Sequence, residues 1–251
     1  ALTVPATITG ASVTTVDGSG TDYTVTINTG LGNGAIRLDV LDDDGIKDPT
    51  LNPLNGAFAT GPSYSVNKTL TYKSIYNYDG WVLESTATSN VGGSFNATAT
   101  TINVGDDGSK KQYRGILHFN TTTLPDDAVI TSVTLKIMKA PGGSGSTSTL
   151  SALLADMTKP SFGSVALTNT DFQATALKPS TFSTFTIAGS WYSALMKATG
   201  FTSVNLTGTT QFRLRFTKGD DGDGLADYLL FYSGNASLAY RPQLIIQYYI
   251  P

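Results

Sequence analysis

Tyr23-Thr-Val-Thr-Ile-Asn28 sets Tyr, Val and Ile on one side of an extended chain and Thr, Thr and Asn on the other. That period of two predicts a half-buried β-strand. The same alternation runs through Leu2, Val4, Ala6 and Ile8, and through Ile36, Leu38 and Val40 with Arg37 and Asp39 between them. Gly-rich turns at Asp17–Gly20 and Gly30–Gly34 separate these runs, as hairpins require. Asp42 to Gly56 reads as a loop, and Tyr64–Val66 begins another short strand.

Beyond Lys68 the pattern continues. Leu70 to Tyr78 and Trp81–Leu83 flank a turn at Asp79-Gly80. Further strands are expected at Thr101–Val104, Tyr113–Phe119, Val129–Met138, Leu150–Asp156, Phe182–Ile187, Gln211–Thr217, Tyr228–Tyr232 and Gln243–Ile250. The loops between them hold Gly92-Gly93, Gly142–Gly145 and Asp220–Asp227. Only Asn169–Ala176 and Trp191–Thr199 read as helical, the second because Trp191, Leu195 and Ala198 recur near the 3.6 period. The fold class is therefore all-β. An incomplete Ig-like β-sandwich module over 1–69 precedes a larger antiparallel, jelly-roll-like β-sandwich over 70–251.

Composition agrees with an exported β protein. Charged residues make up 14% of the 251 residues, against about 25% in an ordinary soluble domain. Glu84 is the single glutamate among 19 acidic residues, so helix formers are scarce. The net charge of −3 and the lack of a basic stripe argue against nucleic acid. No apolar run is long enough for a membrane helix, so no membrane insertion is expected. There is no cysteine, which removes thiol chemistry and Cys-ligated zinc and leaves core packing, cations or assembly to supply stability. Ala1 reads as a processed N-terminus after signal-peptide removal, which places the chain outside the cell or on its surface. Sequons at Asn67, Asn96, Asn120, Asn205 and Asn235 are candidate glycosylation sites.

Residues 79 to 251 resemble the β-sandwich family named for a DNRLRE motif, related to disaggregatase repeats and to carbohydrate-binding module family 96. The matching stretches are Asp79–Ser85 with Asn90–Gly93, Val104–Gly108, Tyr113–Asn120, Leu124–Ile137, Phe231–Gly234 and Tyr240–Tyr248. The family usually has Asp where this chain has Asn120. The resemblance implies an extracellular sandwich, and in some members the binding of acidic polysaccharides. Residues 10 to 69 resemble the C-terminal half of a bacterial Ig-like surface repeat, through Gly10–Thr14, Tyr23–Gly30, Ile36–Asp44, Asn52–Leu54 and Tyr64–Thr69. Such repeats begin with two further strands.

An Ig-like sandwich uses about 7 strands, and residues 1–68 supply four or five. A sandwich short of strands exposes an apolar groove and unpaired backbone groups. A donated strand burying three or four aliphatic side chains contributes roughly 5–10 kcal/mol. The expected function is a non-catalytic structural subunit of a cell-surface fibre, a head-to-tail self-polymer formed by β-strand complementation. The donor is either Leu2, Val4 and Ile8 within residues 1–9 or the run Leu244–Ile250. The alternative is a secreted adhesion module that binds a polysaccharide.

Asp221, Asp223 and Asp227 occupy the first, third and seventh positions of a Gly-rich acidic loop, a spacing that suits Ca²⁺. Tyr232 stands where an EF-hand has its bidentate Glu, so an acidic hairpin with Asx turns is the competing reading. Asp42 and Asp44, with Asp39, Asp43 and Asp48, form a second candidate Ca²⁺ cluster or a solvated loop. Asp106-Asp107-Gly108 reads as a plain turn. His118, the one histidine, reads as a half-exposed structural residue. Glu84 has no convergent partner acid, so no enzyme is expected. Trp81, Trp191, Tyr72, Tyr76, Tyr78, Tyr248 and Tyr249 are sugar-stacking candidates or, more simply, core residues.

Overall fold

The computed structural model describes residues 1–20, 22–30, 32–41, 47–48, 50–53, 55–66 and 68–249. Strands account for 46% of the chain and helix for 4%, and the fold is an all-β sandwich of antiparallel sheets. Two compact units are present. One comprises residues 1–69 with 127–129 and 247–251, the other residues 70–126 with 130–246.

The first unit carries β1 (Leu2–Thr3), β2 (Ser12–Ser19), β3 (Asp22–Asn28), β4 (Gly34–Leu38) and β5 (Ser63–Val66). They form two small sheets, β1-β4-β5 and the hairpin β2-β3. In the hairpin Val13 faces Ile27, and an irregularity between Val13 and Thr15 shifts the register. Arg37, Asp39, Thr3 and the N-terminal amine form a polar knot: Arg37 Nε donates to Asp39 Oδ1 at 2.7 Å, Thr3 donates to Asp39 Oδ2, and Ala1 N donates to Asp39 O at 2.6 Å.

The larger unit is built on β6 (Thr69–Lys73), β7 (Gly80–Glu84), β8 (Gly92–Asn96), β9 (Thr101–Asp106), β10 (Gln112–Asn120), β11 (Val129–Met138), β12 (Leu153–Thr158), β13 (Thr186–Ala188), β14 (Trp191–Leu195), β15 (Thr209–Phe216), β16 (Asp227–Tyr232) and β17 (Gln243–Tyr249). A five-stranded sheet runs β13-β14-β11-β17-β6. A seven-stranded sheet runs β12-β15-β10-β7-β8, with β9 also pairing β10 and β16 pairing β9. This branch at β10 goes with a curled, half-barrel sheet.

Alternation assigns the faces. On β15, Phe212, Leu214 and Phe216 point into the sandwich on the same face as Leu117 and Phe119 of β10, with Phe212 directly opposite Leu117. Val133, Leu135 and Ile137 of β11 are fully buried, while Thr134, Lys136 and Met138 between them are half-buried. The other face of β10 and β15 carries Arg114, Ile116 and His118 beside Gln211, Arg213 and Arg215. It is also covered: Phe162, Leu167 and Phe172 from the long connection after β12 pack on Val82 and Ile116.

Three expectations change here. Trp191–Leu195 is a strand and not a helix, paired from Met138↔Trp191 to Thr134↔Leu195, and a short 3₁₀ turn follows at Ala198–Ser203. Its inward residues are Tyr192, Ala194 and Met196, a period of two, while Leu195 is exposed. Asn169–Ala176 supplies only a 3₁₀ turn at Asn169–Phe172, anchored by the Asp171 carboxylate accepting Thr168 N–H at 3.0 Å. Gly92-Gly93 belongs to β8 and not to a loop. A side chain at Gly92 would collide with the Asn169 carbonyl oxygen, and one at Gly93 with Ser85, so close backbone approach explains both glycines.

Candidate functional site

The N-terminal sheets are thinly filled. Among the described residues of 1–69, Ile8 and Ile36 are the buried aliphatic side chains. Val16, Tyr23, Leu41, Leu51, Phe58 and Tyr64 lie between 53% and 76% exposed. Leu2 pairs with Leu38 and Thr3 with Arg37, and this two-residue ladder is all of β1. Leu2 and Val4 are half-buried and Ile8 is buried, so the N-terminal stretch lies in its own module. The outer edge of β5 and both edges of the β2-β3 hairpin have no strand partner in the described sheets.

The acidic loop after β15 does bring its predicted residues together. One carboxylate oxygen from each of Asp221, Asp223 and Asp227 lies within 4.8 Å of the others, a spacing that admits a shared ion. Local hydrogen bonds shape the loop: Asp223 N–H donates to Asp221 Oδ1 at 3.1 Å, and Leu225 N–H to Asp223 Oδ1 at 2.7 Å. Asp227 Oδ1 accepts the Ser146 N–H. The Asp223 N–H and the Thr149 hydroxyl, both donating to Asp221, hold its carboxyl below the usual range, with Thr149 the larger influence. Asp106 was not among the predicted ligands, yet it is opposed to Asp227 across the β9–β16 ladder and is 1% exposed. Burial, then the charges of Asp227, Asp221 and Asp220, push its carboxyl up to about 7. The sequence reading places Asp106 in a turn with Asp107 and Gly108, and the β9–β16 pairing shows it instead as the last residue of β9.

Asp42 and Asp44 lie outside the described residues. Their neighbours Asp39 and Asp48 are satisfied within the protein. Asp39 is paired with Arg37, and Asp48 accepts from Thr50 and Asn52, which lower its carboxyl to about 2. Of the expected Asp106-Asp107-Gly108 turn, Asp106 belongs to β9, while Asp107 does turn the chain, with Lys110 N–H donating to its carbonyl at 2.9 Å and Lys111 pairing its carboxylate at 3.4 Å.

Among the sequons, Asn67 lies outside the described residues. Asn205 and Asn235 each commit the side-chain nitrogen to a backbone carbonyl, of Thr209 and Ala97. Asn96 is half-buried, its oxygen accepting from Thr98 and Ala99. Asn120 is exposed at the end of β10.

His118 is 3% exposed and not half-exposed, because the connection after β12 covers the face it occupies. Phe162 N–H donates to Gln211 Oε1 at 2.8 Å, which turns the Gln211 amide nitrogen toward His118 Nδ1 at 3.0 Å. Nδ1 therefore accepts, and the ring is neutral with its proton on Nε2, 3.4 Å from Thr209 Oγ1. Burial holds its pKa down at about 4. Glu84 is buried and accepts from Asn90 N–H at 2.6 Å and Gln112 N–H at 3.2 Å. Trp81 packs edge-on against Tyr113, Tyr78 lies over His118, and Lys136 sits over Trp191. Tyr72 is buried, and Tyr76 and Tyr78 are exposed.

A scan of protein-family models finds no match to this chain, and a search of curated proteins finds none either.

Proposed function

We propose that this chain is a non-catalytic, extracellular structural subunit that self-assembles by exchanging its N-terminal strand between copies. The observation that carries the reading is the thin filling among the described residues of 1–69, with two buried aliphatic residues against six large, mostly exposed apolar ones. Open strand edges beside exposed apolar side chains are templates for strand addition. A strand held by two ladder pairs is the cheapest element to trade, because the same contacts re-form on a neighbour. Such head-to-tail exchange propagates into filaments unless the rotation closes a ring. The lone histidine and lone glutamate are occupied in buried hydrogen bonds, which favours a structural role over catalysis. The low charge and the family resemblance support a surface location.

The chain has no cysteine, so a pair introduced at the opposed positions Leu2 and Leu38 reports this one contact. Opposed residues of an antiparallel ladder lie within disulfide reach. Leu2→Cys/Leu38→Cys oxidised after concentration is expected to give a ladder of covalent oligomers on a denaturing, non-reducing gel. A closed monomer alone, carrying its disulfide internally, would overturn strand exchange and leave polysaccharide adhesion as the reading to pursue.

A further inference from the structure

We propose that Asp221, Asp223 and Asp227, with the buried Asp106 opposed to Asp227, form a site for one divalent cation with the size and chemistry of calcium, at the end of the seven-stranded sheet. Asp106 closes β9 and Asp227 opens β16, and the two are direct partners in the antiparallel register. Direct partners project to the same face, about 5 Å apart. Both are buried, at 1% and 4% exposure. Asp106 Oδ1 is buried without a hydrogen-bond partner. A buried carboxylate oxygen with no donor, on a residue opposed to a second buried aspartate, is a costly arrangement. A cation bound between them removes that cost.

The loop completes the geometry. Ligands at about 2.3–2.6 Å from a calcium ion lie at most ~5 Å from each other, and the three loop carboxylates meet that limit at 4.8 Å. Among the described residues, the ion pairs within 4.0 Å are Arg37–Asp39, Lys111–Asp107 and those of Arg213 and Arg215 with Asp156, so no cationic side chain neutralises the four acids. The donor set is all oxygen, which selects a hard cation. An irregular loop with one exposed member suits calcium's variable coordination better than the strict octahedron magnesium demands.

Titration calorimetry with calcium chloride on the full chain, after dialysis against chelator, tests the site, with magnesium chloride as comparator. One calcium per chain is expected, and Asp106→Asn and Asp223→Asn should each weaken it at least about tenfold. Asp223 is exposed, so its variant keeps the test decisive if Asp106→Asn fails to fold. Melting gives a second readout, since a ligand specific to the folded state raises Tm. Calcium should raise the wild-type Tm and leave that of Asp106→Asn unmoved. No heat and no Tm shift at millimolar calcium would overturn the proposal. So would unchanged binding in Asp106→Asn, or magnesium binding as tightly as calcium.

Discussion

His118 accepts a proton only when its ring leaves the face covered by Phe162, since Gln211 already donates to Nδ1. Its folded pKa of about 4 lies below the unfolded value near 6.5, so the unfolded chain binds more protons between those limits. Stability therefore falls as pH drops from about 6.5 toward 4, by roughly 2–3 kcal/mol. Asp79 and Asp171, pushed up to about 6 by burial, act with the opposite sign between about 4 and 6. Guanidinium unfolding of wild type beside His118→Asn across that range cancels the shared carboxylates; the variant should lack the acid-side loss, and parallel curves would contradict the assignment. Asp156 makes a second residue-scale prediction. It pairs with Arg213 at 3.2 Å and Arg215 at 2.9 Å, with its side chain 2% exposed. Burial raises its pKa, but the Arg215 hydrogen bond and both cations hold it below the ordinary value. Asp156→Asn strands a buried guanidinium and should cost about 3–5 kcal/mol by denaturant unfolding. Alternation along Tyr113–Phe119 was legible in the sequence, and so was the opposite facing of His118 to Leu117 and Phe119. What covers that second face was not, because Phe162 and Phe172 lie more than forty residues downstream in a segment without periodicity.

At the level of elements, most strands follow directly from alternation, and the misreadings share one cause. A five-residue stretch such as Trp191–Leu195, apolar but for Ser193, fits two periods, and its pairing with β11 decides between them. Gly92-Gly93 looks like a turn until the Asn169 carbonyl oxygen packs against it. Gly105 in β9 has φ of +139°, and a side chain there would strike the Asp227 carbonyl oxygen. This glycine lets Asp106 and Asp227 come opposite each other at the strand ends. Gly105→Ala should destabilise the fold by about 2 kcal/mol or more, read as a lowered unfolding midpoint at unchanged m-value. An unchanged midpoint would contradict the close approach. The acidic loop was visible as Asp221, Asp223 and Asp227, but Asp106 was not, since its opposition to Asp227 depends on a strand pairing across more than a hundred residues.

At the scale of the molecule, the two units differ in how they are filled. The larger holds a dense core that includes Leu117, Phe119, Val133, Leu135, Ile137 and Phe212, all fully buried. Among its described residues the smaller has five strands in two sheets and leaves Val16, Tyr23 and Tyr64 on strands, and Leu41, Leu51 and Phe58 between them, largely exposed. The alternation of these strands was legible in the sequence, whereas the in-chain pairing of Leu2 with Leu38 was not, because alternation along Leu2–Ile8 is the same whether the strand pairs with its own chain or with a neighbour. On the proposed function, this unit is completed by a neighbouring copy. Negative-stain electron microscopy of the native chain, beside a chain lacking residues 1–9, tests that claim most directly. Filaments from the intact chain and their loss on truncation are the predicted result. Uniform monomers from the intact chain, or filaments that survive the truncation, would contradict it.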